Sequence, residues 1–261
     1  MHGVVRSISK FLLLAAVPFA FAACTPAKAK RAGDLRKFEL KHGLWQEFAW
    51  IPPGDFMMGS PVSEIVHPDE AQVKVTISHG FWMARNEMTR DQWKFLTGKD
   101  PGEFEIMRGR ALENVSWDDS VEWISKLPPP EKGWHYDLPT EAQWEYACRA
   151  RSEAAVELNK TAWWHENSAG QTHLVSQKAP NPWGLFDMQG NVAEWCKDTY
   201  KDRLPGGKDP LVTDPNPRAF RVLRGGSWDS TDACRPACRN KETPALRLNR
   251  VGFRLVIVQD A

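Results

Sequence analysis

The sequence lacks the positive excess that nucleic-acid binding requires. Among 261 residues, Lys and Arg total 34 while Asp and Glu total 33, whereas a protein that neutralises phosphates carries a clustered surplus of cations. The G-x-S-x-G, P-loop and G-x-G-x-x-G patterns are absent, and the 7 His show no zinc-ligand spacing. Hydrolase, nucleotide-binding, dinucleotide-binding and zinc classes are therefore not indicated.

Long hydrophobic runs are also missing, with one exception at the N-terminus. Arg6 and Lys10 precede an uncharged apolar run, Phe11 to Ala23. A basic start, about a dozen apolar residues and small residues at the end are typical of a secretory signal. The run is shorter than the roughly 20 residues of a transmembrane helix. We therefore predict that residues 1–23 are a signal peptide.

The end of this run resembles a bacterial lipobox. It reads Phe21-Ala-Ala-Cys24, with Phe in place of the usual Leu. The resemblance implies cleavage before Cys24 and acylation of its thiol, and simple cleavage to a soluble periplasmic protein is the alternative. Thr25, where Asp would retain a Gram-negative lipoprotein at the inner membrane, implies the outer membrane. The predicted location is thus the periplasm, with membrane contact only through the lipid.

The rest of the chain is predicted to form one domain. Residues 24–43 are rich in Lys and Arg and are predicted to be a lipid-anchored tether, with the domain spanning residues 44–261. Tyr is scarce, with 3 residues against 13 Trp, and 18 Gly and 19 Pro predict many loops pinned by buried indoles. Capping-box patterns at Thr89, Ser116 and Thr140 predict three helix starts.

Four cysteines remain after Cys24. They are Cys148, Cys196, Cys234 and Cys238. In an exported protein, four cysteines favour two disulfides, and three connectivities are possible.

Seven motifs in a fixed order resemble the formylglycine-generating enzyme family, also called the sulfatase-modifying-factor domain. The motifs are Pro52–Ser60, Glu87–Thr89, Val115–Asp119, Leu138–Arg149, Asn181–Trp195, Arg224–Trp228 and Asn249–Arg254. The resemblance implies a single α+β domain related to C-type lectins, with little regular secondary structure, held by metal ions and disulfides. It is specific for the domain and much less specific for the activity.

The resemblance also implies a structural calcium site. The turn Gly-Asn-x-x-Glu-Trp, residues 190–195, supplies the carboxylate of Glu194 and the backbone oxygens of Gly190 and Val192, and Asp187, three residues before it, supplies a second carboxylate. Hard oxygen ligands suit Ca²⁺, and a solvated or salt-bridged turn is the alternative. Asn167 matches the start of a second family site whose remaining ligands cannot be placed in this shorter segment.

The sequence departs from the oxidising members of the family at the catalytic positions. Those members carry two cysteines, three and eight residues beyond the Ser of Gly-Gly-Ser, and their thiolates bind copper. Here the Ser is Ser227, and these positions hold Ser230 and Arg235. Cu(I) requires soft sulfur ligands, so copper is not expected. No catalytic residue is assigned; the candidates are Cys234, Cys238 and Ser227.

The roles of the cysteines stay open at this point. Alignment with the family's Arg-Cys-Ala-Ala-Arg leaves Cys234 and Cys238 outside the catalytic positions and near a position that forms a structural disulfide in some members. The resemblance favours the pairing Cys148–Cys238 with Cys196–Cys234. A redox pair of Cys234 and Cys238 is the alternative.

Two functions from different classes follow. The first is a periplasmic accessory factor that holds an envelope protein or peptide in a surface groove lined by Arg224, Trp228 and Ser230. The second is an oxidoreductase acting on a protein or peptide, of the formylglycine type or like that of siderophore maturation. Its chemistry would use Cys234 and Cys238 or other residues. The oligomeric state and the identity of the partner are not predicted.

The lipoprotein prediction is tested by Cys24→Ala. We expect the variant to appear in the soluble periplasmic fraction or as the uncut precursor, because the acyl chains have no other attachment point. Cell fractionation and N-terminal sequencing check this. A variant that fractionates with the membrane and keeps the wild-type N-terminus would contradict the prediction.

Overall fold

The computed structural model describes residues 30–61, 67–105, 107–152 and 157–260. Cys24 and the predicted signal peptide lie outside these residues. In the described ranges, helices are short, and none has the length and apolar character needed to cross a membrane. The strands, in chain order, are β1 (Leu35–Lys41), β2 (Leu44–Ile51), β3 (Gly54–Met58), β4 (Val73–Ile77), β5 (Phe81–Ala84), β6 (Trp134–Asp137), β7 (Ala193–Thr199), β8 (Gly207–Lys208), β9 (Arg221–Arg224), β10 (Arg239–Glu242), β11 (Val251–Gly252) and β12 (Val256–Gln259). The helices are α1 (Arg90–Thr97), α2 (Trp117–Ile124), α3 (Glu141–Arg149) and α4 (Leu158–Thr161).

A five-stranded sheet with the order β1-β2-β5-β12-β6 separates two hydrophobic cores. Side chains alternate between the faces of a strand. Along β2, Phe48 and Trp50 accordingly enter one core, while Ala49 and Ile51 enter the other. Because both faces of β2 are covered, its second half is apolar without interruption.

Two smaller sheets complete the fold, with the orders β10-β9-β7-β11 and β3-β4-β8. Strands β7 and β9 are antiparallel, and Glu194 lies opposite Arg224. Helix α3 packs against β3, β7 and β9. This packing brings acidic side chains of α3 next to buried arginines.

The three predicted helix starts are confirmed. Thr89, Ser116 and Thr140 each accept a hydrogen bond from the third backbone amide of their helix, and each capping box is complete. These contacts satisfy amides that otherwise lack a partner in the first helical turn.

The domain begins earlier than residue 44, the predicted boundary. Strand β1 pairs with β2 over its length, and Phe38 and Leu40 are buried in the core. The predicted tether of residues 24–43 therefore includes a strand of the main sheet. The sequence misled because β1 is an edge strand with few apolar residues. Its face in contact with water carries Leu35, Lys37, Glu39 and Lys41, and only Phe38 and Leu40 of the opposite face are buried.

Phe38→Ala should lower the free energy of unfolding by about 3–5 kcal/mol, because it leaves a cavity in a buried aromatic cluster. Trp45→Ala, on the neighbouring strand, is the matched control: its side chain is 54% exposed, and we expect a change within about 0.5 kcal/mol. Urea denaturation checks both. Equal effects would contradict the inclusion of β1 in the domain.

Candidate functional site

Two turns meet where β7 begins and β9 ends. One is the turn of residues 187–192, and the other is the Gly-Gly-Ser loop, residues 225–230. Asn191 joins the two turns, because its backbone carbonyl accepts from the Trp228 amide at 2.9 Å. The side-chain oxygen of Asn191 also accepts from the His173 amide, at 2.8 Å, which fixes a third segment to the first turn. The pairing of β7 with β9 thus builds one site from two distant motifs.

Beneath the Gly-Gly-Ser loop, Arg224 is fully buried. Its guanidinium is paired with Glu145 and donates to the carbonyls of Ala237 and Cys238 at 2.8 and 2.7 Å. The prediction that Arg224 lines a groove is therefore wrong. A guanidinium in the protein interior requires a carboxylate and several acceptors, and all of these lie under the loop.

Beneath the other turn, Glu194 binds Arg254. The guanidinium donates from Nε at 2.7 Å and from Nη2 at 2.6 Å, and the indole of Trp144 donates to the same carboxylate at 2.8 Å. All three side chains are buried. This bidentate geometry is the strongest form of the arginine–carboxylate pair.

Two more buried carboxyl groups lie beside this pair. Glu87 accepts from the Asn191 side chain at 3.0 Å and from the Val192 amide at 3.2 Å. Asp187 accepts from the Ser176 amide at 2.7 Å through one oxygen. We call Glu87, Asp187 and Glu194 the carboxylate cluster.

The carboxylate cluster is short of positive charge. Burial, together with the charges of Asp187 and Glu194, raises the pKa of Glu87 well above its usual value. Burial also raises the pKa of Asp187 to about 6, against the opposing effects of a backbone hydrogen bond and the charge of Arg254. One guanidinium therefore faces three carboxyl groups that lose much of their hydration.

One carboxylate oxygen at the predicted calcium turn lacks a partner among the described residues. In the described ranges, Asp187 Oδ1 is buried without a hydrogen-bond partner, and an oxygen in that situation needs a cation or water. No group of three or more His, Cys, Asp or Glu side chains in these ranges has metal-site geometry. Of the predicted ligands, Glu194 has both carboxylate oxygens engaged by Arg254 and Trp144. The ion would therefore depend first on Asp187 and on the backbone oxygens of Gly190 and Val192. We propose that Ca²⁺ binds there and neutralises the cluster.

The second calcium site remains without further ligands. Asn167 donates to the Ala162 carbonyl at 3.0 Å and accepts from the Trp164 amide at 2.9 Å. Both ends of its amide are thus engaged in closing its own loop.

The predicted catalytic candidate Ser227 is buried and bonded within the Gly-Gly-Ser loop. Its hydroxyl donates to Asp229 Oδ1 at 2.6 Å, and its amide donates to the Ser230 hydroxyl at 2.9 Å. Among the described residues, no histidine hydrogen-bonds Ser227 to act as a base. These contacts hold the loop closed and do not make Ser227 an activated nucleophile.

The outer side of the Gly-Gly-Ser loop is half-exposed at Trp228, Asp229 and Ser230. The Trp228 indole donates to the Asn249 carbonyl at 3.0 Å, and its ring meets Phe104 edge-on at 5.6 Å. Two cavities of about 420 and 360 Å³ lie elsewhere in the described part of the chain, beside β1 and between α1 and α2.

The four cysteines are free thiols in this structure, so the predicted disulfides are not present in it. Cys148, Cys196 and Cys234 are buried, and Cys238 is half-buried. Burial, with the charge of Cys238, raises the pKa of Cys234 to about 12, and burial also raises the pKa of Cys238. Both thiols are therefore protonated near neutral pH and are weak nucleophiles.

Glu87 and Arg254 are the residues whose roles sequence reasoning missed. Both stand in motifs of the family resemblance, at the start of Glu87–Thr89 and at the end of Asn249–Arg254. The charge of Arg254 was a usable signal, because Arg254 interrupts an otherwise apolar segment and a charged residue there is buried only when it has a partner. Glu87 stands among polar residues, and its neighbours in the chain gave no such signal.

Comparison with known proteins places this geometry in a family. Residues 36–259 match the family described as "Sulfatase-modifying factor enzyme 1-like domain". The chain is 29% identical to the serine/threonine-protein kinase pkn1 of Chlamydia pneumoniae, over 80% of this chain and 37% of that protein. It is 34% identical to the formylglycine-generating enzyme of Streptomyces coelicolor, over 54% of this chain and 50% of that protein. It is 29% identical to the inactive C-alpha-formylglycine-generating enzyme 2 of Mus musculus, over 54% of this chain and 47% of that protein. The chain thus spans half or less of the length of these relatives.

Solved structures agree with the fold. Treponema denticola variable protein 1 superposes with a TM-score of 0.72 at 25% identity, over 85% of this chain and 98% of the other. PvdO from Pseudomonas aeruginosa superposes with a TM-score of 0.73 at 25% identity, over 88% and 99%. The predicted α+β domain with a C-type-lectin-like core and little regular structure is confirmed.

The calcium proposal predicts that a chelator lowers the melting temperature of the protein. Calcium at about 100-fold excess over Kd should stabilise the fold by roughly 2.7 kcal/mol. Asp187→Ala should abolish this response, whereas Asp187→Asn should keep part of it because the amide oxygen remains a ligand. Asp202→Ala, at a 92% exposed carboxylate, is the control. A wild-type melting curve unchanged by both chelator and calcium would contradict the proposal.

Proposed function

The chain belongs to the sulfatase-modifying factor enzyme 1-like domain family, and from this membership we propose that it binds an envelope protein or peptide without oxidising it. The family includes proteins named as formylglycine-generating enzymes and one named as inactive. The observation that carries the proposal is the identity of the residues at the two catalytic positions. Ser230 and Arg235 stand there, and each is engaged in contacts within the protein.

These two residues oppose copper chemistry. Cu(I) is held by soft thiolates, and a serine hydroxyl is a hard, protonated ligand at neutral pH. Arg235 carries a permanent positive charge, which repels a copper cation, and it pairs with the buried Glu70 at 3.1 Å. Restoring the family's oxidising site would therefore require replacing a cation that stabilises a buried carboxylate.

The alternative oxidoreductase would use Cys234 and Cys238. These thiols lie near each other, since Cys238 contributes to the raised pKa of Cys234. Attack on a substrate requires a thiolate that can be reached. Cys234 is 2% exposed, and a Cβ added at Gly226 would lie 3.0 Å from its sulfur. The backbone of the Gly-Gly-Ser loop thus packs closely against this buried thiol.

The surface above the Gly-Gly-Ser loop suits a polypeptide. It offers the indole of Trp228 and the ring of Phe104 for apolar contact, and the carboxylate of Asp229 near Arg250, at 3.8 Å, for polar contact. Aromatic residues combined with a polar rim are typical of protein interfaces. We propose that an envelope protein or peptide binds here.

The proposed location follows from the N-terminus. Cleavage before Cys24 and acylation of its thiol would anchor the protein to the outer membrane, on the periplasmic side. The chain from Cys24 to Lys30 can span at most about 20 Å. The domain would then remain close to the membrane, and its partner would be reached near that surface.

The proposal predicts no conversion of a sulfatase-type Cys-x-Pro-x-Arg peptide with copper and oxygen supplied, since two accessible thiolates are required. Mass spectrometry of the peptide checks this, and Cys234→Ser and Cys238→Ser are the controls. Turnover that disappears in either variant would replace the binding proposal with the oxidoreductase.

Binding is tested in cells with a photoreactive amino acid in place of Asp229. We expect a specific adduct with an envelope protein, because this position lies on the half-exposed side of the loop. The same amino acid at Leu35, which is 49% exposed on β1, is the matched control. Adducts of equal yield and identity at both positions would contradict binding at the loop.

A further inference from the structure

Three tryptophans of the five-stranded sheet surround the ammonium group of Lys30. The Gly-Gly-Ser loop follows β9, which belongs to another sheet. Lys30 Nζ lies 4.0 Å from the ring centre of Trp50 and 5.2 Å from those of Trp82 and Trp134. All three distances are within the range of cation–π attraction, about 6 Å. We call these three residues the indole cage.

The five-stranded sheet builds the indole cage from three strands. Trp50 on β2 lies directly opposite Trp82 on β5. On β12, Ile257 pairs with Trp82 and Gln259 pairs with Trp134 of β6. Residues two apart on a strand share a face, so all three indoles stand on one face of the sheet.

The walls of the indole cage meet at steep angles. The ring centres of Trp50 and Trp82 lie 5.2 Å apart, and their ring planes make an angle of 67°. The ring centres of Trp50 and Trp134 lie 6.4 Å apart, with an angle of 64° between the planes. Gly80 makes room for the first wall, because a Cβ there would lie 2.3 Å from the Trp50 ring. In the indole cage, the faces of the rings, rather than their N–H edges, are turned toward the ammonium group.

One acidic residue, Glu131, lies close enough to Lys30 for its charge to act on the ammonium group. Glu131 pairs with Arg36, and its charge also acts on Lys30, whose pKa burial lowers and Glu131 raises. Lys30 itself is exposed, whereas Trp50 and Trp82 are buried. The indole cage therefore opens to solvent, and Lys30 fills its mouth.

Lys30 enters the indole cage from a short turn fixed to the sheet. The Gly33 amide donates to the Trp50 carbonyl at 3.0 Å, and the Trp50 amide donates to the Asp34 carbonyl at 2.9 Å. The Asp34 carboxylate also accepts from the Arg31 amide at 2.7 Å. None of these contacts involves the Lys30 side chain. The ammonium group of Lys30 can therefore leave the indole cage while the turn stays in place.

We propose that the indole cage is a binding site for methylated ammonium cations, which Lys30 occupies in their absence. A primary ammonium is compact and strongly hydrated, so it loses favourable contacts with water when it enters the indole cage. A quaternary ammonium is weakly hydrated and therefore suits three indole faces better. Aromatic boxes of this kind recognise choline and methyl-lysine. A free choline-type cation and a phosphatidylcholine headgroup share this chemistry.

The test uses choline as the probe and Lys30→Gln as the variant that vacates the indole cage. We expect choline to quench or shift the tryptophan fluorescence of the purified protein. We expect Lys30→Gln to bind it with a Kd at least about tenfold lower than that of the wild type, because the internal competitor is gone. The neutral tert-butyl isostere of choline has the same shape without the charge, and it should bind at least about tenfold more weakly.

Trp134→Leu separates the site from the fold. Trp134 is half-buried, and Leu keeps an apolar side chain there while removing the ring. We expect choline binding to be lost while the melting transition stays cooperative. Trp45→Leu, at an exposed indole outside the indole cage, should leave binding unchanged.

Vesicles distinguish the two sources of the cation. Retention on phosphatidylcholine but not phosphatidylglycerol vesicles, dependent on Trp134, supports the lipid headgroup as ligand, and binding of free choline alone supports a soluble cation. Three results would overturn the proposal: no binding of choline or vesicles by Lys30→Gln, equal binding of the neutral isostere, or binding by Trp134→Leu equal to that of the parent protein.

Discussion

The buried pair of Arg254 and Glu194 is the interaction on which the site depends. Arg254 also donates to the carbonyls of Ala84 and Phe186, at 3.2 and 2.9 Å. A single guanidinium therefore ties the end of β5, the turn before β7 and the C-terminal segment together. A carboxylate or guanidinium left alone in this interior would cost about 3–5 kcal/mol, so the three segments are held in place as a unit.

The same principle extends through α3. Glu145 pairs with Arg224, and Glu141 binds Arg239 through both of its oxygens, at 2.6 and 3.0 Å. A fold with short strands and short helices has few backbone ladders to hold its loops. Buried charge pairs supply the missing constraints, since each guanidinium also satisfies loop carbonyls that would otherwise be buried without a donor.

The buried pairs explain how this fold is held together with Ser230 and Arg235, rather than cysteines, at positions 230 and 235. The pairs Arg254–Glu194, Arg224–Glu145 and Arg239–Glu141 do not involve positions 230 and 235. Ser230 and Arg235 instead take part in the local bonding of the loop and of Glu70. A surface above such a rigid base can be reassigned from catalysis to binding with few changes, because fold and function reside in different residues.

The family, the α+β class, the three capped helix starts and the lack of thiols at positions 230 and 235 could be predicted from the amino-acid sequence. Each depends on residue identity or on contacts between near neighbours in the chain. The burial of Arg224, the place of β1 in the domain and the meeting of Glu87 with Asp187 beside one guanidinium became visible only in the folded chain. It alone brought Trp50, Trp82 and Trp134 around Lys30. Burial and charge pairing are properties of strand order, and strand order joins segments far apart in sequence, where local patterns carry no information about which residues will meet.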